Sequence, residues 1–263
     1  MKEIIIITGA SSGMGRELAY QIENKYLVDE IWIIARRKDR LEELANNLNT
    51  KARIFSLDLT DSNSFKVLED SLFEEKPRVK VLANCSGYGK LDHIENMSIE
   101  TIENMMNLNM LTVVKMVNTV LPYMNKNSKI LNLASCSAYM PIPYLNIYAA
   151  TKAFVLSYSR ALNEELKYRK IHVLAVCPYW VETEFFNRAV NNDKEVVVKR
   201  YGRIYKADKV IKKALHDLDS NRDVSLYGTI NKVQILGMKV LPHTLVKKIW
   251  MLYQDLDGTK DIR

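Results

Sequence analysis

Cysteine is scarce: the 263-residue chain has three, Cys85, Cys136 and Cys177. An odd number without regular spacing argues against a disulfide framework and for a reducing compartment. No Cys-x-x-Cys pair occurs and the four histidines are scattered, so no metal site is expected. Long apolar runs are also lacking. Ile4–Ile7 is too short for a signal-peptide core and runs straight into a glycine-rich turn, and the apolar stretch near the C-terminus is interrupted by Lys239, Pro242 and His243. No segment could span a bilayer, and a cytoplasmic location is expected. Arginine-rich runs with interleaved aromatics are absent, which argues against nucleic acid. The excess of 38 basic over 31 acidic residues, a formal charge of +7, is scattered and reads mainly as a basic solvated surface.

What is present is an ordinary globular composition, 48% hydrophobic and 26% charged, with no linker, repeat or low-complexity tract. Apolar strand-like runs alternate with helical patterns. Strands are expected at Ile4–Thr8, Ile31–Ala35, Ala52–Leu57, Val79–Ala83, Lys129–Leu133, His172–Cys177 and Val224–Tyr227. Helices are expected at Met14–Asn24, Lys38–Leu48, from a cap at Asp61 to Phe73, and over the long stretches Ile99–Met124 and Ile147–Arg169. Such βα alternation implies a single doubly wound (Rossmann) α/β domain over residues 1–263, with a mostly parallel sheet flanked by helices.

The first strand meets the first helix at Thr8-Gly9-Ala10-Ser11-Ser12-Gly13-Met14-Gly15. Glycines at this junction let the backbone approach a pyrophosphate, which the helix N-terminus would receive with N–H donors; the plainer alternative is a tight turn. The second strand ends in Ala35-Arg36-Arg37. The carboxylate that would bind the ribose hydroxyl of NAD is missing, and two guanidinium groups suit the 2′-phosphate of NADP, unless they form only a surface pair.

Tyr148 and Lys152 stand one helical turn apart, so they share a face. An ammonium near a phenol favours phenolate and would lower its pKa toward working pH, making a proton carrier for a carbonyl/alcohol pair. Tyr205 and Lys209 repeat the spacing. Context separates the two: Tyr148 follows Ser135, which lies just past a strand end, whereas Tyr205 reads as a charged helix start.

Together, Thr8–Gly15, Asn84-Cys85-Ser86-Gly87, Asn109, Ser135, Tyr148 and Lys152 resemble the compact soluble branch of the short-chain dehydrogenase/reductase family over about residues 3–185. The resemblance implies that Ser135 orients the substrate, Tyr148 is the general acid/base, Lys152 binds the nicotinamide ribose and tunes Tyr148, and Asn109 holds a relay water. It also implies cofactor contacts at Gly9, Ser11, Ser12, Gly13, Met14, Gly15, Arg36, Arg37, Asn84 and Lys152. Asp58 and Leu59 match the adenine pocket, and Val181 and Thr183 match the carboxamide site. Two departures stand out. Cys85 and Ser86 replace the family's usual Asn-Ala, and Tyr179 and Trp180 follow Pro178 where the family has glycine. The second puts the usual backbone path of that loop in doubt.

Aromatic and apolar residues (Tyr139, Met140, Pro141, Pro143, Tyr144, Tyr179, Trp180, Phe185, Phe186) lie where a substrate cavity is expected, suggesting an apolar, lipid-like or sterol-like carbonyl compound. Residues 182–205 are expected to form a substrate loop. Residues 229–254 read as a lid or as packed helices in preference to a basic membrane-docking surface, because Pro242 breaks any long helix. The three cysteines read as strand-end packing in preference to a redox cluster. The apolar helix with Phe154, Val155, Tyr158 and Leu162 suggests, by the resemblance, a homodimer or homotetramer. The leading expectation is a reversible NADPH-dependent carbonyl reductase. An NAD(H)-linked alcohol dehydrogenase and a non-catalytic NADP(H)-sensing protein are the alternatives.

Overall fold

Strand residues alternate between two apolar faces, and each face finds its own helices. In the computed structural model, which describes residues 1–185, 189 and 197–256, seven parallel strands form the main sheet in the order β3-β2-β1-β4-β5-β6-β9. These are β1 (Glu3–Thr8), β2 (Glu30–Ala35), β3 (Ala52–Ser56), β4 (Arg78–Asn84), β5 (Met124–Leu133), β6 (His172–Val176) and β9 (Val224–Ser225). Ile5, Ile7, Ile33 and Val81 pack on α1 (Gly13–Ile22), α2 (Lys38–Asn46) and α7 (Ala207–Asp219). Ile4, Ile6, Trp32 and Leu82 pack on α3 (Ser62–Glu75), α5 (Thr112–Val120) and α6 (Asn146–Glu165). Both faces of the central strands are covered, which is why those strands read as continuous apolar runs. The expected α/β architecture is therefore present.

The strand order reverses between β1 and β4, whose ends meet at Thr8 and Asn84. That switch point opens a crevice beyond the strand C-termini, the usual ligand position in such sheets. The expected Asp61 cap is present: its carboxylate accepts from the Asn63 N–H at 3.0 Å.

The expected long helix at Ile99–Met124 is broken. It divides into α4 (Ile99–Met106), a π-helical turn at Asn107–Leu111 and α5, and it ends at Val120. Pro122, which has no N–H to continue a helix, sits in a short 3₁₀ turn, and Met124 already belongs to β5. Strand β5 starts before the expected Lys129 because Asn125, Lys126, Asn127 and Ser128, which follow Met124, are polar and carry no apolar signal. A second, small sheet pairs β7 (Val181–Glu182) with β8 (Tyr205–Lys206). Tyr205 is thus a buried strand residue packed edge-on against Tyr227, and α7 opens directly after it with Lys206 at its cap and Asp208 and Lys209 in its first turn, as the expected charged helix entry. Helices α8 (Thr229–Val240) and α9 (His243–Gln254) follow, with Pro242 between them. Among the described residues no helix is long and apolar enough to cross a membrane.

Candidate active site

The turn after β1 is shaped by its glycines. Gly9 has φ +68°, and a Cβ there would stand 2.8 Å from the backbone of Cys85 and Ser86. A Cβ on Gly15 would meet the Gly9 carbonyl oxygen at 2.4 Å. Only glycine permits this approach of α1 to the turn. Thr8 ties the turn to β4: its Oγ1 accepts from the N–H groups of Cys85 and Ser86 at 3.0 and 3.1 Å. Because these are backbone donors, Cys85 and Ser86 can replace other residues without disturbing the link.

A groove of about 590 Å³ runs along this edge. Gly9, Ser11, Ser12, Gly13, Met14 and Gly15 line it, together with Arg36, Arg37, Asp58, Leu59 and Thr183. The first turn of α1 has no acidic residue, and its N-cap, Ser12, makes no capping bond. Its unpaired N–H groups and positive dipole end are therefore left for an anion, and this donor set fits a dinucleotide pyrophosphate.

The two arginines are placed differently. Arg36 lies 3.5 Å from the Asp58 carboxylate, at an exposed edge. Arg37 donates to Ser11 Oγ at 3.2 Å and to Glu184 at 2.8 Å, so the segment after β7 reaches across to the turn. Asp58 also accepts from the Thr60 N–H and hydroxyl, and its carboxyl is held below its ordinary range although burial pushes the other way.

A second cavity of about 380 Å³ adjoins the groove. Met14, Cys85, Gly87, Leu133, Thr183 and Phe185 border both spaces. Ser135, Tyr148 and Lys152 line this cavity among predominantly apolar walls that include Met140, Ile142, Trp180, Val181 and Trp250. Tyr148 and Lys152 sit in the first two turns of α6, with the ammonium 5.6 Å from the phenol ring centroid. Lys152 is buried and donates to the Leu133 carbonyl at 2.6 Å. Burial lowers its pKa to about 8. Burial raises the Tyr148 phenol well above its ordinary value, and the Ser135 hydroxyl pulls it only partly back. The expected lowering of Tyr148 by Lys152 is thus not seen in the protein alone, where removal of the phenolate from water is the larger effect.

The sequence profile of the short chain dehydrogenase family matches residues 3–194. The chain belongs to the short-chain dehydrogenase family. Among relatives, it is 31% identical over 196 residues to the very-long-chain 3-oxoacyl-CoA reductase of Rattus norvegicus, covering 69% of this chain but only 60% of that protein's length. It is 31% identical over 194 residues to sulfoacetaldehyde reductase 2 of Chromohalobacter salexigens, covering 70% of this chain and 75% of the relative. A short-chain dehydrogenase from Sphingobium yanoikuyae solved with NADPH superposes with a TM-score of 0.75 at 27% identity, covering 89% and 92% of the two chains. This dehydrogenase therefore shares its family and its fold with a protein solved with a nicotinamide cofactor.

Within the dehydrogenase, two expected site residues turn their side chains away from the open space. Asn84 is buried; its Nδ2 donates to Asn132 Oδ1 at 2.8 Å, and Asn132 in turn donates to Ser159. Asn109 is fully buried in the π-helical turn. Its Nδ2 donates to the Tyr88 carbonyl and to Thr151 Oγ1, and its Oδ1 accepts from the Tyr88 N–H. The Asn109 amide is paired through both its atoms, as an amide inside the fold requires, whereas the Asn84 Oδ1 is buried without a partner among the described residues. The loop that carries the unusual Tyr179 and Trp180 is held by backbone hydrogen bonds. The Pro178 carbonyl accepts from Cys136, and the Trp180 carbonyl accepts from Tyr205, which anchors the path into β7.

Of the aromatic and apolar cavity residues expected from sequence, Met140, Tyr179, Trp180 and Phe185 line the cavity. Tyr139 faces Lys239, and Tyr144 packs edge-on against His93. Pro141 and Pro143 are not on the wall, although the Pro143 carbonyl accepts from Trp250. Phe186 lies outside the described residues. Sequence reasoning missed Ser137, a buried cavity residue whose hydroxyl has no partner among the described residues. Its place two residues beyond Ser135 was the available signal. It also missed Glu184, for which no local pattern exists. All three cysteines are free and buried, and burial pushes the Cys85 and Cys177 thiols up to about 12 and raises Cys136 as well. That environment favours packing over redox reactivity.

Proposed function

We propose that this dehydrogenase reversibly reduces an apolar ketone or aldehyde to the alcohol, with NADPH as the cofactor and Tyr148 as the proton donor. The observation that carries the reading is the meeting of the anion-fitted groove with an apolar cavity at Ser135, Tyr148 and Lys152. When bound, the nicotinamide supplies hydride to the carbonyl carbon. The raised pKa keeps the Tyr148 phenol protonated at neutral pH, ready to donate to the carbonyl oxygen. Ser135 Oγ accepts from the Ser137 N–H, which leaves its own hydrogen to orient the same oxygen. Lys152 uses one of its three hydrogens on Leu133, and the others are available for the nicotinamide ribose.

Gly87 lets Asn109 and Lys152 approach one another: a Cβ there would stand 2.8 Å from Asn109 Oδ1 and 3.4 Å from Lys152 Nζ. Asn109, one of the residues beside that glycine, serves in this reading the return of a proton to Tyr148. In this reading Ser11, Ser12, Gly13 and Met14 hold the pyrophosphate, Arg36 and Arg37 the 2′-phosphate, Asp58 and Leu59 the adenine, and Val181 and Thr183 the carboxamide. Asn84 acts through the sheet edge it braces. Helices α8 and α9, which contribute Asn231, Met238, Ile249 and Trp250 to the cavity, serve as the lid. Pairing of two copies along α6 is supported by Phe154, exposed and stacked on Tyr158 with centroids 5.9 Å apart.

Relatives named for 3-oxoacyl-CoA and for sulfoacetaldehyde share little beyond a carbonyl group, which favours that reaction class. The apolar cavity favours a lipid-like or sterol-like substrate over a small charged one. The test is a panel of carbonyl compounds assayed by NADPH absorbance with Tyr148→Phe as the control. The variant is expected to bind cofactor as before and to lose turnover by roughly 10²–10⁴-fold, the usual worth of a positioned acid. Near-parental turnover would remove Tyr148 from its assigned place.

A further inference from the structure

The exposed face of α8 and α9 is unusual for a surface in water. Nine of the twenty exposed large apolar side chains among the described residues fall between Ile230 and Tyr253. Val233, Leu236 and Val240 follow helical spacing on α8, and Leu245, Ile249 and Leu252 do so on α9. Val233 is 70% exposed, Leu236 63% and Leu252 78%. The inward faces of the same helices are complete: Asn231 and Ile235 on α8, and Val246, Trp250 and Gln254 on α9, are buried. Among the described residues most of these outward side chains are left uncovered, and an exposed apolar surface of this kind marks a docking surface.

Charge identifies what docks. From Thr229 to Gln254 there is no aspartate or glutamate, while Lys232, Lys239, Lys247 and Lys248 are all exposed. The first acidic residue is Asp255, at the C-cap of α9. If a second copy covered the face by two-fold pairing, the patch would meet itself, lysines against lysines. An anionic lipid surface satisfies both components, taking apolar side chains below the headgroups and pairing the lysines at their level. Each helix has 12 residues, about 18 Å of length at 1.5 Å per residue, which suits lying on a bilayer and not crossing it. The break at Pro242 produces two short amphipathic helices in place of one.

The face is continuous with the cavity. Ile230, Ile249 and Tyr253 are exposed on these helices and also line the cavity beside Tyr148. We propose that α8 and α9 dock on an anionic membrane surface, so that an apolar substrate dissolved in the bilayer reaches the cavity between them. The substrate clause rests on the carbonyl-reductase reading; the docking does not.

The full chain is sedimented with vesicles of phosphatidylcholine alone and of phosphatidylcholine and phosphatidylglycerol in equal parts, at low and raised salt. Pelleting is expected on the order of tenfold more strongly with the anionic vesicles and is expected to fall with salt. The double variant Leu236→Gln/Leu252→Gln, changed at two exposed positions outside the cavity wall, is expected to bind about tenfold more weakly, having lost apolar area that would enter the bilayer. Its turnover of a short, water-soluble ketone should match the parent. The proposal is overturned if the parent stays in the supernatant with anionic vesicles or if the variant pellets equally. It is also overturned if sedimentation velocity shows an oligomer that the variant abolishes while vesicles bind neither protein. A parent that binds vesicles yet reduces no carbonyl compound upholds the docking and defeats the catalytic reading instead.

Discussion

Lys152 offers a test of the site that needs no substrate. Its buried ammonium has a pKa lowered by burial from 10.5 to about 8. At neutral pH both native and unfolded chains carry the proton, but the native chain does so at a cost on the order of 3 kcal/mol, at about 1.4 kcal/mol per pKa unit. As pH rises through about 8 the native state releases the proton first. Between there and 10.5 the unfolded chain binds more protons, so stability rises with pH and the penalty is gone above 10.5. From about pH 7 to about pH 9.5 this group alone adds roughly 2 kcal/mol to the unfolding free energy. Lys152→Met keeps much of the volume and removes that slope. At neutral pH the variant recovers the desolvation cost but leaves the Leu133 carbonyl without its donor, a loss of about 1–3 kcal/mol, so its net stability there changes little or rises slightly. Urea unfolding of parent and variant, followed by tryptophan fluorescence at both pH values, isolates the group, because all other titrations are common to the pair. Identical pH dependence in the two proteins would refute the reasoning. The cost also has a functional sense: a lysine ready to donate inside the cavity is kept there at the expense of stability.

Two further substitutions test the groove. Gly9→Ala forces alanine into φ +68° with its Cβ against rigid backbone; a loss of about 2 kcal/mol or more is expected, lowering Tm by roughly 4–8 °C and weakening dinucleotide binding. Gly237→Ala, in α8 with nothing within 4 Å of the new methyl, is the control and should be neutral or stabilising by up to about 1 kcal/mol; calorimetry that ranked the two alike would contradict the turn argument. Arg36→Asp should weaken NADPH by about tenfold or more while sparing NADH, since one charge-assisted phosphate contact is worth about 1.5–3 kcal/mol; equal losses in a fluorescence titration would show that Arg36 does not read the phosphate.

Much of the architecture was legible in the chain because it is local. Continuous apolar runs such as Ile4–Ile7 announce strands covered on both faces, and the Gly9–Gly15 spacing announces a turn that only glycine can make. Tyr148 and Lys152 were recognisable because four residues on a helix place two side chains on one face, and Ser135 separated them from the identical spacing at Tyr205 and Lys209. The three-dimensional fold decided what depends on partners distant in sequence. It broke the helix at Asn107–Leu111, turned the Asn84 and Asn109 amides into the interior, linked Arg37 to Glu184 across 147 positions, and laid α8 and α9 against the cavity with their apolar stripes outward. It also set the protonation of the site. A lysine and a tyrosine one turn apart could lower or raise one another's pKa on paper; the surrounding walls, assembled from β5, α6 and the segments beyond β6, removed both from water, and desolvation outweighed their mutual influence.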